Sequence, residues 1–167
     1  MSNSQPEVWM RGAVPGFEPQ LQPVVHAFLQ AKEDIEALVS RVPEQDAWSQ
    51  PGGAASVGFH IRHIGGATER LLTYARGEPL TPDQIVALKA EGVAGALLAD
   101  VAATTQAVLD RALEQLRATD RDTLLDDRTL GRAALPTTVI GLLFHAAEHA
   151  TRHIGQAITT AKILAGS

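Results

Sequence analysis

The sequence predicts an all-α protein: a four-helix bundle with one extra short helix and an extended N-terminal arm. Three observations carry this expectation. Apolar residues recur at gaps of three and four through four long segments, the mark of one buried helical face. Aromatic residues make up only 4% of the chain, alanine and leucine abound, and strand-like alternation is scarce. Helix start and stop signals fall at the ends of the periodic segments. Four long amphipathic helices can bury their faces only against one another. With 167 residues, 45% of them hydrophobic and 20% charged, the chain suffices for one domain with a proper core. Residues 1–20 read as the arm and residues 21–167 as the bundle.

The arm holds Pro6, Gly12, Pro15, Gly16 and Pro19, so it cannot form a long helix. Trp9 and Met10 are its expected apolar anchor, lying over its own domain or crossing to a partner subunit. The first helix is expected over residues 21–42, with Val24, Val25, Phe28, Ile35, Leu38 and Val39 on one face. Pro23 is tolerated in its first turn, and Pro43 ends it. Its single His26 reads as structural. Residues 43–55, with Pro51-Gly52-Gly53, form a loop, and Ser56 is the expected N-cap of a second helix over residues 57–76. Thr81-Pro82-Asp83-Gln84 has the form of a capping box and opens a short helix that breaks near Gly92. A longer helix is expected over residues 95–116. Residues 118–136 are charged and turn-rich, a loop with one short extended piece at 128–133. Thr137 is the expected cap of the last helix, residues 138–164.

Composition excludes several functions. Cysteine is absent, so no disulfide framework, zinc ribbon or cysteine nucleophile exists. Any metal must be held by nitrogen and oxygen, and any thiol must arrive with a substrate. A net charge of −5 argues against a nucleic-acid binder, which usually shows a basic face. No apolar run approaches the roughly 20 residues of a membrane span, and the first five residues are polar, without a signal core. A cytoplasmic location is the expectation.

The chemistry concentrates in the last helix. His145, His149 and His153 stand at four-residue intervals and share one helical stripe. Imidazoles at i and i+4 can converge on one divalent ion. All three cannot easily do so: His145 and His153 lie about 12 Å apart along the axis, whereas metal–nitrogen bonds are about 2 Å long. The usable pair is His145/His149 or His149/His153. A catalytic metal typically takes three protein ligands and keeps one position open, so a third must come from another helix. The second helix offers His60 and His63, about 60° apart on the helical wheel. His60 lies nearer the apolar direction of Val57, Ile61, Ile64 and Leu71. Periodicity therefore favours His60 as the inward residue, and simple burial of a histidine explains its position equally well. His145-Ala-Ala-Glu148-His149 also fits the inverted zinc-peptidase pattern, in which the glutamate is the base. Such enzymes need a ligand far downstream, and only 18 residues follow His149. Glu148 is better read as solvated or as a neighbour of the ligands.

Ser56-Val-Gly-Phe-His60-Ile-Arg-His63-Ile-Gly-Gly, followed 86 residues after His63 by His149-x-x-x-His153-Ile-Gly-Gln156, resembles the DinB-like/YfiT-like family of small four-helix metalloproteins. The likeness runs from the second helix through the last, and the paired histidines followed by Gly-Gln are its most specific element. The resemblance implies one divalent ion per chain, nickel, zinc or iron, held by three histidines. It matches His63 to the ligand on the second helix and His149 and His153 to the other two. His60 and His145 are then extras that hydrogen-bond or contact substrate. Gln156, one turn beyond His153, is expected to hydrogen-bond or pack near the metal end of the bundle. Some relatives resemble thiol-dependent S-transferases, in which the metal activates a low-molecular-weight thiol. Others resemble hydrolases, and a non-catalytic metal-binding or stress-response role is the third possibility. The family's name refers to induction by DNA damage and implies no DNA contact. Members are often homodimers, so a homodimer is expected here, with a small-molecule substrate and no nucleic-acid or membrane partner.

Overall fold

A computed structural model describes residues 5–166; the remainder of the polar start, residues 1–4, lies outside the described residues. Seven regular elements follow in order: α1 (Gln22–Val39), α2 (Val57–Ala75), α3 (Pro82–Ala90), α4 (Leu98–Ala118), β1 (Asp127–Leu130), β2 (Leu135–Thr138) and α5 (Val139–Leu164). The long helices α1, α2, α4 and α5 form a four-helix bundle. α2 packs on α4 and α5, and α1 packs on the same two, so α1 and α2 occupy one diagonal. Among the described residues, the α2–α5 interface is the most extensive. Phe28 and Ile35 from α1, Ile61 and Ile64 from α2, Leu109 and Leu116 from α4, and Leu142 and Leu143 from α5 are at most 2% exposed. Burying each such side chain contributes about 1.5–3 kcal/mol.

Small residues set the helix spacing where α2 meets α4. A Cβ on Gly65 would stand 2.9 Å from Thr105 Oγ1 and 3.3 Å from Thr105 Cα. The Thr105 hydroxyl in turn donates to the Ile61 carbonyl at 2.9 Å. At the start of α2, Ser56 Oγ accepts from Phe59 N as the cap pattern predicts. The capping box of α3 also forms, with Thr81 and Gln84 each accepting from the other's backbone N–H.

Several boundaries differ from the sequence expectation, each for a local reason. α1 ends at Val39 rather than near 42. Arg41 N and Val42 N both turn back to the Leu38 carbonyl, tightening the chain ahead of Pro43, which disfavours a helical residue before it. α4 begins at Leu98 rather than near Gly95, because Gly95 has φ +109° and Leu97 is extended. Glu44, from the loop after α1, accepts from the free Leu98 N–H and places a negative charge at this helix start.

The arm makes single helical turns at Val8–Arg11 and Pro19–Leu21 and lies along α1 of its own chain. Trp9 and Met10 do not anchor it: they are 63% and 52% exposed, whereas Val8 is 5% exposed. The tight three-residue turn aims Val8 inward, and Val8 N donates to Gln30 Oε1. Arg11 forms a paired contact with Glu33, and His26 Nε2 lies 3.0 Å from the Gly12 carbonyl, a structural use of that histidine.

The expected loop with one extended piece is a two-stranded hairpin. β1 and β2 pair antiparallel, with Asp127 opposite Thr138 and Leu130 opposite Leu135. Arg128 reaches from β1 to the Ala75 carbonyl and caps the C-terminus of α2. Because Thr137 pairs with Arg128 inside the strand, the cap of α5 passes to Thr138, whose Oγ1 accepts from Gly141 N at 3.1 Å. Thr138→Ala should therefore lower the unfolding free energy by about 1 kcal/mol, and Thr137→Ala by less. A larger loss at Thr137 than at Thr138 in urea unfolding would return the cap to Thr137.

Candidate metal centre

Histidines from two helices meet at the α2–α5 interface. The ligand-type nitrogens of His63, His149 and His153 all lie within 4.8 Å of one another, the one such group of three among the described residues. His63 Nε2 stands 2.9 Å from His149 Nε2. The His153 ring lies 4.5 Å from that of His63 and 4.4 Å from that of His149, centre to centre. Ligands about 2.0–2.1 Å from a tetrahedral ion stand about 3.3 Å apart, so the spacing suits a common ion with a small adjustment. The His149 Nδ1 atom is buried and has no hydrogen-bond partner.

The helical wheel was a fair guide to burial. His60 is 5% exposed, while the side chain of His63 is 19% exposed. Burial nevertheless does not select the cluster. His60 stands behind it, with Nδ1 2.9 Å from His153 Nδ1. His145 stays at the rim, where its Nδ1 lies 2.6 Å from Glu148 Oε1. Arg152 donates to both oxygens of the same carboxylate. Glu148 is thus engaged along its own helix. Gln156 is exposed and hydrogen-bonds none of these imidazoles, and a Cβ on Gly155 would meet nothing within 4 Å. Phe59, one turn before His63, stacks on its ring at 5.3 Å and 11°.

One residue in contact with the cluster escaped the sequence reading altogether. Glu91, just past α3, is buried, and its Oε2 lies 2.6 Å from His63 Nδ1. Its other oxygen accepts from Arg70 Nη1 at 2.6 Å. An acid between a short helix and Gly92 looks like a solvated helix end in sequence. Only Gly66 hints otherwise: a Cβ there would stand 2.3 Å from Glu91 Oε1, so the glycine leaves the carboxylate its place. Arg62 secures the backbone nearby. Its guanidinium lies over the Trp48 ring and donates to the carbonyls of Ala90, Glu91 and Val93.

The electrostatics favour neutral rings. Burial pushes the His153 pKa down to about 4, helped by His63, His149 and His60 close by. Burial likewise lowers His149, with His63 and His145 adding to the effect, and lowers His60, with His63 adding to it. Burial raises the Glu91 pKa, but hydrogen bonds from His63 and Arg70 outweigh it and hold the carboxyl below its usual value. Neutral imidazole is the form that binds a metal.

A helical bundle with three convergent imidazoles defines the chain as a small all-α protein carrying a candidate metal centre. The DinB superfamily model matches residues 27–157, and the chain belongs to that superfamily. The fold also resembles a crystal structure described as the conserved protein of locus from Enterococcus faecalis. That likeness has a TM-score of 0.66 and 20% identity, over 88% of this chain and 98% of the other. No curated protein matches. Among the described residues, no helix is long and apolar enough to cross a membrane.

The histidine shifts have one sign, which sets a pH dependence for the metal-free protein. Their folded values lie below the unfolded value of about 6.5, so the unfolded chain takes up protons first as the pH falls. The stabilisation is complete above about pH 6.5 and is lost as the pH drops toward the folded values, about 4 for His153. The urea midpoint should fall between about pH 7.5 and 5, above the usual carboxylate range. A midpoint equal or higher at the acidic end would contradict this assignment.

Proposed function

We propose that this protein binds one divalent ion per chain through His63, His149 and His153 and uses it in a thiol-dependent S-transferase reaction. The observation that carries the reading is the convergence of three imidazoles from two helices within 4.8 Å. The donor set fits: all three are nitrogen ligands, and imidazole suits zinc, nickel and iron. His149 turns Nε2 toward His63 at 2.9 Å, so Nε2 is the nitrogen it offers to an ion.

When bound, such an ion supplies Lewis acidity, and with three neutral ligands its full charge remains to acidify a coordinated thiol or water. The chain has no cysteine of its own, so the thiol is a low-molecular-weight co-substrate. In the transfer the thiol S–H gives up its proton to water and the sulfur forms a new S–C bond. The displaced group leaves the electrophilic carbon with the bonding electron pair. The residues hold and orient: Phe59 supports the His63 ring, and His60 backs His153. Hydrolysis of the inverted zinc-peptidase kind finds less support, because Glu148 is already paired with His145 and Arg152.

Elemental analysis of protein purified without a histidine tag should give one divalent ion per chain. His149→Ala should lose it, and His60→Ala should keep most of it. A full equivalent retained by His149→Ala would place the site elsewhere. The loaded protein should also accelerate conjugation of a low-molecular-weight thiol to a small electrophile above the His149→Ala background. Equal rates would remove the transferase reading and leave the metal reading standing.

A further inference from the structure

The three clustered histidines differ in what stands behind them. His153 Nδ1 faces another imidazole, His60, at 2.9 Å. His149 Nδ1 is buried with no partner. His63 alone has a carboxylate, Glu91, at 2.6 Å from Nδ1. That carboxylate cannot turn freely. Its second oxygen accepts from Arg70 at 2.6 Å, and Arg62 holds the backbone carbonyls of Ala90, Glu91 and Val93. Gly66 supplies the space, since any Cβ there would stand 2.3 Å from Glu91 Oε1. Four residues of α2 thus cooperate to hold one acid that α3 itself does not use. No side chain within α3 is buried.

We infer that Glu91 is a positioning residue: it fixes His63 as the Nδ1–H tautomer and so presents the Nε2 lone pair to the side where His149 and His153 stand. An ionised carboxylate can only accept, so the proton between Nδ1 and Oε2 belongs to the ring. His63 Nε2 is then unprotonated and faces His149 Nε2 at 2.9 Å. A carboxylate behind a ligating histidine sets the ring's orientation and raises its basicity. The consequence for metal affinity rests on the proposed metal reading. The tautomer does not, because it exists in the metal-free protein.

The test combines both. In metal-free wild type at neutral pH, long-range nitrogen–proton NMR correlations should show His63 protonated on Nδ1. Glu91→Gln keeps the size of the side chain, but its single amide oxygen cannot serve both Arg70 and His63. The His63 signal should move toward the Nε2–H form, and zinc affinity should fall about 10–100-fold. Gly66→Ala displaces the carboxylate without removing its charge and should move both readouts in the same direction. Circular dichroism and urea unfolding confirm that each variant is folded. Two results would overturn the inference: an Nε2–H tautomer in wild type, or a folded Glu91→Gln that keeps the wild-type tautomer. If wild type takes up no zinc, the metal reading fails, and the tautomer measurement still decides the role of Glu91.

Discussion

Four imidazoles share the interface between α2 and α5, and two pairs of their nitrogens approach to 2.9 Å. Charged rings at that distance would repel one another and lose their hydration. Burial favours the neutral form of His60, His149 and His153, and that burial comes from the bundle itself. Ile61 and Ile64 from α2 and Ala146, Ala147, Ala150 and Ile154 from α5 are all under 5% exposed around the histidines. The alanines let α5 approach closely enough for imidazoles on facing helices to meet. Apolar packing and the basic cluster are therefore one construction. Loosening the interface would hydrate the rings and separate them together.

A second layer of polar contacts ties the irregular part of the chain to this interface. α3 has no buried residue, so hydrophobic burial does not dock it. It is held instead by Gln84 on Thr73, by Arg62 on the carbonyls of Ala90, Glu91 and Val93 at its end, and by Glu91 between Arg70 and His63. Buried polar bonds of this kind contribute modestly when made but cost more when one partner is left alone. They therefore fix the geometry of the segment more than they stabilise it. The outcome is a short helix tied to α2 by polar contacts, with Glu91 just beyond it set against His63.

Membership of the DinB superfamily accounts for the bundle and its helix order, and the likeness to the Enterococcus faecalis protein extends over nearly that whole chain. At 20% identity this likeness concerns the fold. The chemistry rests on the chain's own residues, three convergent imidazoles with a clamped carboxylate behind one of them.

Local physics made the helices and their chemistry legible in sequence. Apolar spacing marked α1, α2, α4 and α5, because a helix that buries one face must repeat near 3.6 residues. Ser56 and the Thr81–Gln84 pair marked two starts, because a cap is satisfied within its own turn. The i, i+4 spacing of His149 and His153 placed both rings on one stripe before any partner was known. Tertiary structure decided the rest. Whether His60 or His63 joins that stripe depends on how α2 is rotated against α5, and the wheel of α2 alone pointed to the more buried ring. Val8 replaced Trp9 and Met10 as the arm's anchor because the turn buries it and Gln30 of α1 offers its N–H an acceptor. Thr138 replaced Thr137 as a cap because a strand pairing claimed the earlier threonine. Glu91 gained its place from Gly66, Arg70 and His63, all more than 20 residues away in sequence. No local pattern records such a contact, since its energy exists only once the chain has brought donor and acceptor together.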